Sequence, residues 1–591
     1  MSYRAPTRDQ LFVMRELAGI DAIAQLPGHE DAGLETATAV LEECARFNQD
    51  VIAPLNQAGD REPSRLADGK VITSPGFSAA FKQFTAGGWQ GLPHPVAFGG
   101  QGLPKLIHAA CTEMLHGASL SFALCPLLTD GAIEALLVAG SDEQQKRLIP
   151  SLINGSWTGT MNLTEPQAGS DLSQVRTRAE PQADGSYRLF GTKIFITYGE
   201  HDYTEDIAHL VLARISGAPE GVKGISLFLC PRRLPDGSRN DVHCVSLEHK
   251  LGIKASPTAV LQYGDQGGAV AELLGQENRG LEAMFVMMNA ARFGVGVQGI
   301  AVAERAYQQA AAFARDRVQS RPVDGSASGA APILHHPDVR RMLMTMRAHT
   351  EACRALALVA AAAFDQAHAH PNADIRAEQQ TVHEFLVPLV KGLSTEMSIE
   401  VASLGVQVHG GMGFIEETGA AQHLRDARIL TIYEGTTAIQ ANDLVGRKTA
   451  RDGGRTALAL AEQVTATVDA LKGRDSAAAR AMAKRLDAAR AALVDVVNFV
   501  VEHSRKDPAA VYAGSVPYLM LAGTTLAGWQ MARALIAAED RLAQGDDAEF
   551  MRAKISTAHF YAEHILNRVP SMRDSVVDGA QAVTAMPLES F

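Results

Sequence analysis

Tyr187-Arg188-Leu189-Phe190-Gly191-Thr192-Lys193-Ile194-Phe195-Ile196-Thr197 is two short alternating runs either side of a glycine. Alternation with period two, rich in aromatic and β-branched residues, predicts half-buried strands. Leu210-Val211-Leu212-Ala213 and Ile225-Ser226-Leu227-Phe228-Leu229-Cys230 follow, with Gly, Pro, Asp and Asn between them. Residues from about Trp157 to Gly275 therefore predict a compact β domain. Both flanks carry helical spacing instead. On the N-terminal side these are Asp9–Leu17, Leu34–Asn48, Ile107–Leu128 and Gln144–Leu152, with a Gly-rich loop at Gly99–Pro104. On the C-terminal side they are Leu281–Arg317, Asp338–Ala369 and Ala377–Val408, with a Gly/Ala/Ser-rich loop at Val323–Pro332. Beyond Lys448 come four more helical patterns, about Thr456–Leu471, Ser476–His503, Val516–Gln544 and Ala548–Arg568. A doubly wound fold needs alternating strands and helices, and that alternation is missing. The expected class is α+β multidomain, mostly α. It divides into an N-terminal helical arm (1–33), an N-terminal α domain (34–157), a middle β domain (158–277), a C-terminal α bundle (278–448) and an additional C-terminal helical domain (449–591).

The 591 residues are 46% hydrophobic and 20% charged, which excludes a mainly disordered chain. The formal charge is −12, so no global basic footprint for nucleic acid or anionic lipid exists. The segment after Lys448 holds 16 Lys+Arg against 17 Asp+Glu, which argues against a phosphate-binding tail. Any anionic ligand must be held by local arginines, lysines and backbone N–H groups. Six scattered cysteines form no C-x-x-C pair, and no metal site is expected. Met1–Thr7 leads into a polar segment with no signal-peptide core, and apolar runs such as Ala355–Phe364 are near ten residues. The expectation is a cytoplasmic protein with no integral membrane segment.

Gly294-Val295-Gly296-Val297-Gln298-Gly299 matches G-x-G-x-x-G, but a helical pattern precedes it where a dinucleotide fingerprint needs a strand. The better reading is small residues that let another helix approach. Three other segments stand out. Met161-Asn162-Leu163-Thr164-Glu165-Pro166-Gln167-Ala168-Gly169-Ser170-Asp171 combines hydroxyls with a glycine open to close approach, which suits a polar ring or a pyrophosphate. Gln407-Val408-His409-Gly410-Gly411-Met412-Gly413-Phe414 ends a long helical pattern with exposed N–H groups. Ile432-Tyr433-Glu434-Gly435-Thr436-Thr437 places a carboxylate just outside a helix that Thr436 is expected to cap. Shielded by Tyr433, Glu434 is placed to act as a base of raised pKa. Alone, the first two segments read best as an interdomain turn and a helix C-cap, and the third also fits an acidic residue that complements a helix dipole.

In this order, Thr-Glu-Pro-x-Ala-Gly-Ser-Asp, Lys-Ile-Phe-Ile-Thr, Gln-x-x-Gly-Gly-x-Gly-Phe and Tyr-Glu-Gly-Thr resemble the acyl-CoA dehydrogenase family over roughly Leu34 to Lys448. Met287–Arg292, Ala303–Tyr307 and His336–Arg341 resemble its longer bacterial branch, which includes 3-methylmercaptopropionyl-CoA dehydrogenases and broad-range fatty acyl-CoA dehydrogenases. The resemblance implies FAD-dependent α,β-dehydrogenation of an acyl-CoA. Glu434 removes the α-proton, FAD N5 accepts the β-hydride, and electrons pass to an electron-transfer flavoprotein. It assigns flavin contacts to Leu163, Thr164, Gly169, Ser170, Phe195, Ile196 and Thr197. Contacts to the FAD of a neighbouring subunit fall to Arg317, Gln407, Gly410 and Gly411, with Thr436 also at the cofactor. Ser170, Arg292, Tyr433 and Gly435 fall at the substrate. Phe195 stands where Trp is common. Ser320-Arg321 replaces a frequent Phe-Gly pair, and Ala438 replaces a frequent Gln. A cofactor site shared between subunits implies an oligomer, and the extra C-terminal helices suggest a homodimer. Two other readings remain at this point: an oxidase that uses O₂, and a nucleic-acid-binding member of the family, which the charge balance disfavours.

Overall fold

The computed structural model describes residues 3–591, which fall into two compact units. One comprises Phe47–Leu103 and Ala118–Gly294, the other Met1–Arg46, Pro104–Gly117 and Val295–Phe591.

The first unit holds the β domain. Its strands are Trp157–Asn162, Arg178–Pro181, Tyr187–Thr197, Asp206–Ile215, Ile225–Pro231, Val242–Leu247, Thr258–Tyr263 and Ala269–Leu274. Ala269–Leu274 pairs with both Ile225–Pro231 and Tyr187–Thr197, so the sheet curls back on itself. Most pairs are antiparallel; Trp157–Asn162 and Arg178–Pro181 each lie parallel to Asp206–Ile215. That strand is buried along nearly its whole length, which explains why Leu210–Ala213 reads as a continuous apolar run. Ser119 interrupts the expected Ile107–Leu128 helix: its extended backbone separates Lys105–Ala118 from Leu120–Ala139, and its hydroxyl accepts the Phe122 N–H. Leu120–Ala139 then packs on Trp157–Asn162. A Cβ at Gly159 would lie 2.3 Å from the Ala132 Cβ, so only glycine permits that approach.

The second unit is helical. Its long elements include Pro337–Ala369, Ala373–His409, Arg455–Lys472, Ala477–His503, Ser515–Ala543 and Ala548–His564. The glycines read as helix-contact residues do that work: a Cβ at Gly296 would meet Val390 Cγ1 at 2.6 Å, and one at Gly299 the Ser394 carbonyl at 2.5 Å. A buried ionic cluster ties the N-terminal arm to the bundle. Lys554 Nζ donates to Asp9 at 2.6 Å and Glu351 at 2.7 Å, while Arg354 reaches Asp9, Glu113 and Glu304 at 2.6–2.7 Å.

Two helices bear on the expectation of no integral membrane segment. Leu120–Ala139 and Gly280–Asp316 are long and apolar enough, by length and composition, to cross a membrane. The sequence reading measured unbroken apolar runs, whereas helices with occasional polar residues pass a windowed test. About two thirds or more of each apolar window is buried inside the protein (67% and 72%), so packing accounts for its composition.

Candidate active site

Within the β-containing unit, the structure brings two of the quoted segments together. The strand Tyr187–Thr197 loses register with Thr258–Tyr263 between Lys193 and Ile196. At this bulge Phe195 adopts φ +59°, a left-handed conformation that a bulky residue holds only when its surroundings enforce it. The bulge turns Phe195 outward, 58% exposed, while Lys193 and Ile196 stay buried. The loop after Trp157–Asn162 docks here, with Ile194 N–H donating to the Thr164 carbonyl at 2.9 Å and Lys193 Nζ to the Leu163 carbonyl at 2.9 Å.

Glu165 fastens this loop. Its carboxylate accepts from Lys193 Nζ (2.8 Å), Thr177 N–H (3.0 Å) and Oγ1 (2.6 Å), Arg176 N–H (2.7 Å) and Gln167 Nε2 (2.6 Å). Burial alone would raise its pKa, yet Lys193 and the surrounding donors hold it down at about 2. Burial pushes the Lys193 ammonium down to about 8, against the pull of Glu165. Thus the Lys-Ile-Phe-Ile-Thr strand and the Thr-Glu-Pro loop share one buried ion pair. Leu163, Thr164 and Thr197 are half-buried beside exposed Phe195, and Gly169 and Ser170 are exposed further along the loop. No atom lies within 4 Å of a Cβ built on Gly169, so its backbone is open to a ligand. Ile196 packs with the β core, leaving its backbone as the part able to meet a ligand. Arg292 is buried on its helix and donates to Asn289 Oδ1 at 3.1 Å.

The helical unit carries two further clusters. In the first, Tyr433 donates through its hydroxyl to Gln298 Oε1, and burial together with nearby Glu434 raises the phenol's pKa well above 10. Glu434 has φ +54° and Gly435 φ +88°, and Thr436 caps the helix Thr437–Asp443 by accepting the Ile439 N–H. Lys391 Nζ donates to the Gly435 carbonyl at 2.6 Å, and Gln440 Nε2 to the carbonyls of Gly435 (3.2 Å) and Glu434 (3.4 Å). In the second cluster, Gly410 (φ +59°) and Gly411 follow Ala373–His409, with nothing within 4 Å of a Cβ on either. Phe313, one turn before Arg317, contacts the His409 ring at 4.4 Å, which sets the end of that helix beside the Gln407–Gly411 turn. Lys391 and Gln407 lie sixteen residues apart on one helix, so the two clusters are about 24 Å apart along its axis. A half-buried carboxylate on this turn suits proton abstraction. The Gly410 N–H, expected to be exposed, instead donates to the Gln407 carbonyl, so what the Gln407–Gly411 turn offers a ligand is the open space over Gly410 and Gly411. Sequence reading missed Lys391 and Gln440; the one available signal for Lys391 was a lone charge in the apolar run Phe385–Leu393.

Comparison with known families matches the acyl-CoA dehydrogenase N-terminal domain at residues 34–156, the middle domain at 160–265 and the C-terminal domain at 278–448. A further match, acetyl-CoA dehydrogenase C-terminal like, covers 460–587. The chain belongs to the acyl-CoA dehydrogenase family. It is 54% identical to the 3-methylmercaptopropionyl-CoA dehydrogenase of Ruegeria pomeroyi, covering 99% of this chain and 100% of that protein. It is 35% identical to the broad-specificity linear acyl-CoA dehydrogenase FadE5 of Mycobacterium tuberculosis, covering 97% of each. An acyl-CoA dehydrogenase structure from Bacillus anthracis, complexed with FAD, shares the fold with a TM-score of 0.75 at 21% identity, covering 94% of this chain and 90% of that one. As a member of the acyl-CoA dehydrogenase family, the protein is an enzyme that dehydrogenates acyl-CoA thioesters.

Proposed function

We propose that the protein catalyses FAD-dependent α,β-dehydrogenation of an acyl-CoA to its trans-2-enoyl-CoA, with Glu434 as the base. The observation that carries this reading is the turn at Glu434. A non-glycine residue held at φ +54°, with its own carbonyl and the next both bound by buried side chains, is backbone strain of the kind kept at functional sites. The Glu434 carboxylate takes the α-proton, and its backbone N–H donates to the thioester carbonyl, where charge develops. When bound, FAD supplies the two-electron acceptor for the β-hydride. The chain's residues fit that group: Leu163, Thr164, Phe195, Ile196 and Thr197 form a bulged strand and loop able to take a flat ring, and open Gly169 with Ser170 suits its pyrophosphate. Arg292, Ser170, Tyr433 and Gly435 are assigned to the acyl-CoA, and Thr436 to the cofactor.

Similarity over the full length to the Ruegeria enzyme supports a 3-methylthiopropionyl thioester as substrate. Electrons then leave to an electron-transfer flavoprotein in the cytoplasm, as the family resemblance implies. A homodimer is supported by the axial separation of the two helical clusters. Gln407, Gly410 and Gly411 lie at the end of their helix remote from Lys391, and Arg317 follows the helix whose Phe313 meets His409 there, which leaves this cluster for a second subunit's cofactor.

The test is anaerobic bleaching of the flavin-bearing enzyme by acyl-CoAs from short to long, including the methylthiopropionyl thioester. Glu434→Gln is expected to keep its flavin and lose about 10²- to 10⁴-fold in turnover. Full turnover by that variant refutes the base, and peroxide formed during turnover in air points to an oxidase.

A further inference from the structure

We propose that Lys391 is a positioning residue for the base, acting through the Gly435 carbonyl; the inference rests on Glu434 being that base. Lys391 is fully buried in the apolar run Phe385–Leu393 of the helix Ala373–His409. Burying an ammonium is costly, and a methionine of similar length would pack there without that cost. Among the contacts that hold the ammonium is a 2.6 Å hydrogen bond to the Gly435 carbonyl. Fully buried Gln440, on the helix that Thr436 caps, donates to the same carbonyl at 3.2 Å and to that of Glu434 at 3.4 Å.

These two side chains come from different helices and hold consecutive peptide groups. The same two residues carry the left-handed angles, φ +54° at Glu434 and φ +88° at Gly435. A left-handed glutamate relaxes towards ordinary backbone unless its neighbours prevent it. Relaxation would swing both the Glu434 carboxylate and the Glu434 N–H, the two groups the reaction uses at the α-proton and the thioester oxygen. Lys391 thus keeps the proton acceptor and the carbonyl donor in one fixed relation without touching the substrate.

The test compares Lys391→Met, Lys391→Arg and Glu434→Gln in the flavin-loaded full-length enzyme. Lys391→Met is expected to keep its flavin content and secondary structure, to hold KM within about twofold, and to lose about 10²-fold in kcat per bound flavin. Deuterium exchange at Cα of an acyl-CoA analogue blocked at Cβ, followed by NMR in D₂O, is expected to slow in parallel. Lys391→Arg, which retains a cationic donor, is expected to recover at least about a tenth of the parental rate. If Lys391→Met is insoluble, Gln440→Leu removes the companion clamp and reads the same turn. Unchanged kcat per flavin and unchanged exchange, or a loss that only follows lost flavin, overturn the proposal. If Glu434→Gln is inactive while Lys391→Met behaves as the parent, this inference alone falls. If Glu434→Gln turns over normally, the base assignment falls first.

Discussion

Replacing Glu165 by glutamine tests whether one buried ion pair holds the loop that carries Leu163, Thr164 and Glu165 on its strand. The substitution is nearly isosteric, so the effect is electrostatic. Glutamine keeps one oxygen, able to face Lys193 and Thr177 as Oε1 does now. Its amide then points N–H groups at two donors, the Arg176 N–H and Gln167 Nε2, which now reach Oε2 at 2.7 and 2.6 Å. Exposed Gln167 keeps its bond to the Gln174 carbonyl, so only the Arg176 N–H loses its partner, at about 1–3 kcal/mol. Lys193, fully buried, also loses its counter-charge, and breaking a buried pair from one side costs about 3–5 kcal/mol. These costs overlap, so about 3–5 kcal/mol is the expected total. A chain of this size need not unfold in one step, and a single melting temperature would blur the effect. Native-state hydrogen exchange reads it locally. The amides of Arg176, Thr177 and Ile194 are the reporters, because each donates to Glu165 or to the Thr164 carbonyl. Their exchange should speed up roughly 10²- to 10³-fold or more, while amides of Asp206–Ile215 stay protected. Flavin retention should fall with them. The double variant Glu165→Gln/Lys193→Met leaves no buried charge and should recover part of the loss. Reporter exchange within about threefold of the parent, or a double variant no better than the single one, refutes the reasoning.

Gly299→Ala places a Cβ 2.5 Å from a backbone oxygen on a neighbouring helix and should cost about 1–3 kcal/mol, read as a lower denaturation midpoint. Lys554→Met leaves the Asp9 and Glu351 carboxylates without their shared cation; about 3–5 kcal/mol is expected, and limited proteolysis should cut the N-terminal arm faster than in the parent. Asp9 and Glu165 respond to acid in the same sense. Burial alone would raise the Asp9 pKa, but Lys554 and Arg354 hold it at about 2, below its ordinary 3.8, and Glu165 is also near 2 against 4.5. Depressed carboxyl pKa values stabilise the fold above their unfolded values, and the benefit is lost as pH falls through the folded ones. Pepsin sensitivity of both segments should therefore rise between about pH 4.5 and 2, and a flat profile over that window counts against both ion pairs.

Much of the architecture was legible because burial writes itself into periodicity. The strand pattern around Gly191, the helical flanks and the interhelical role of Gly296 and Gly299 all follow from spacing and side-chain size. The bulge did not follow from that pattern. Lys193-Ile194-Phe195-Ile196-Thr197 alternates well enough to pass for a regular strand, and only the pairing partner reveals the break in register that turns Phe195 out. Glu165 and Lys193 were both visible as residues of two motifs, but their pairing spans 28 positions and depends on a loop folding back. The break at Ser119 has a local cause in its side-chain cap, yet the apolar residues on either side mask it. Lys391 is the clearest limit: one charge in an apolar run reads as a misfit until the carbonyl it serves, 44 positions later, is in place.

The surplus length bears on the same turn. The 143 residues after Lys448 belong to the same compact unit as Val295–Lys448. Ser515–Ala543 packs on Ala373–His409 so closely that a Cβ at Gly392 would lie 2.4 Å from Leu519 Cδ2, and one at Gly523 would lie 3.0 Å from Leu393. Gly392 is the residue after Lys391. The same C-terminal helix packs on Thr437–Asp443, which carries Gln440, and Tyr518 meets the Thr449 hydroxyl at 2.9 Å. One added helix therefore backs both elements that clamp the Glu434 turn. A helix pair joined through glycines has little room to shift, because each displacement drives a side chain into backbone or opens a void. The added segment thus does more than cover a surface: it limits the freedom of the two helices whose side chains hold the Glu434 and Gly435 carbonyls.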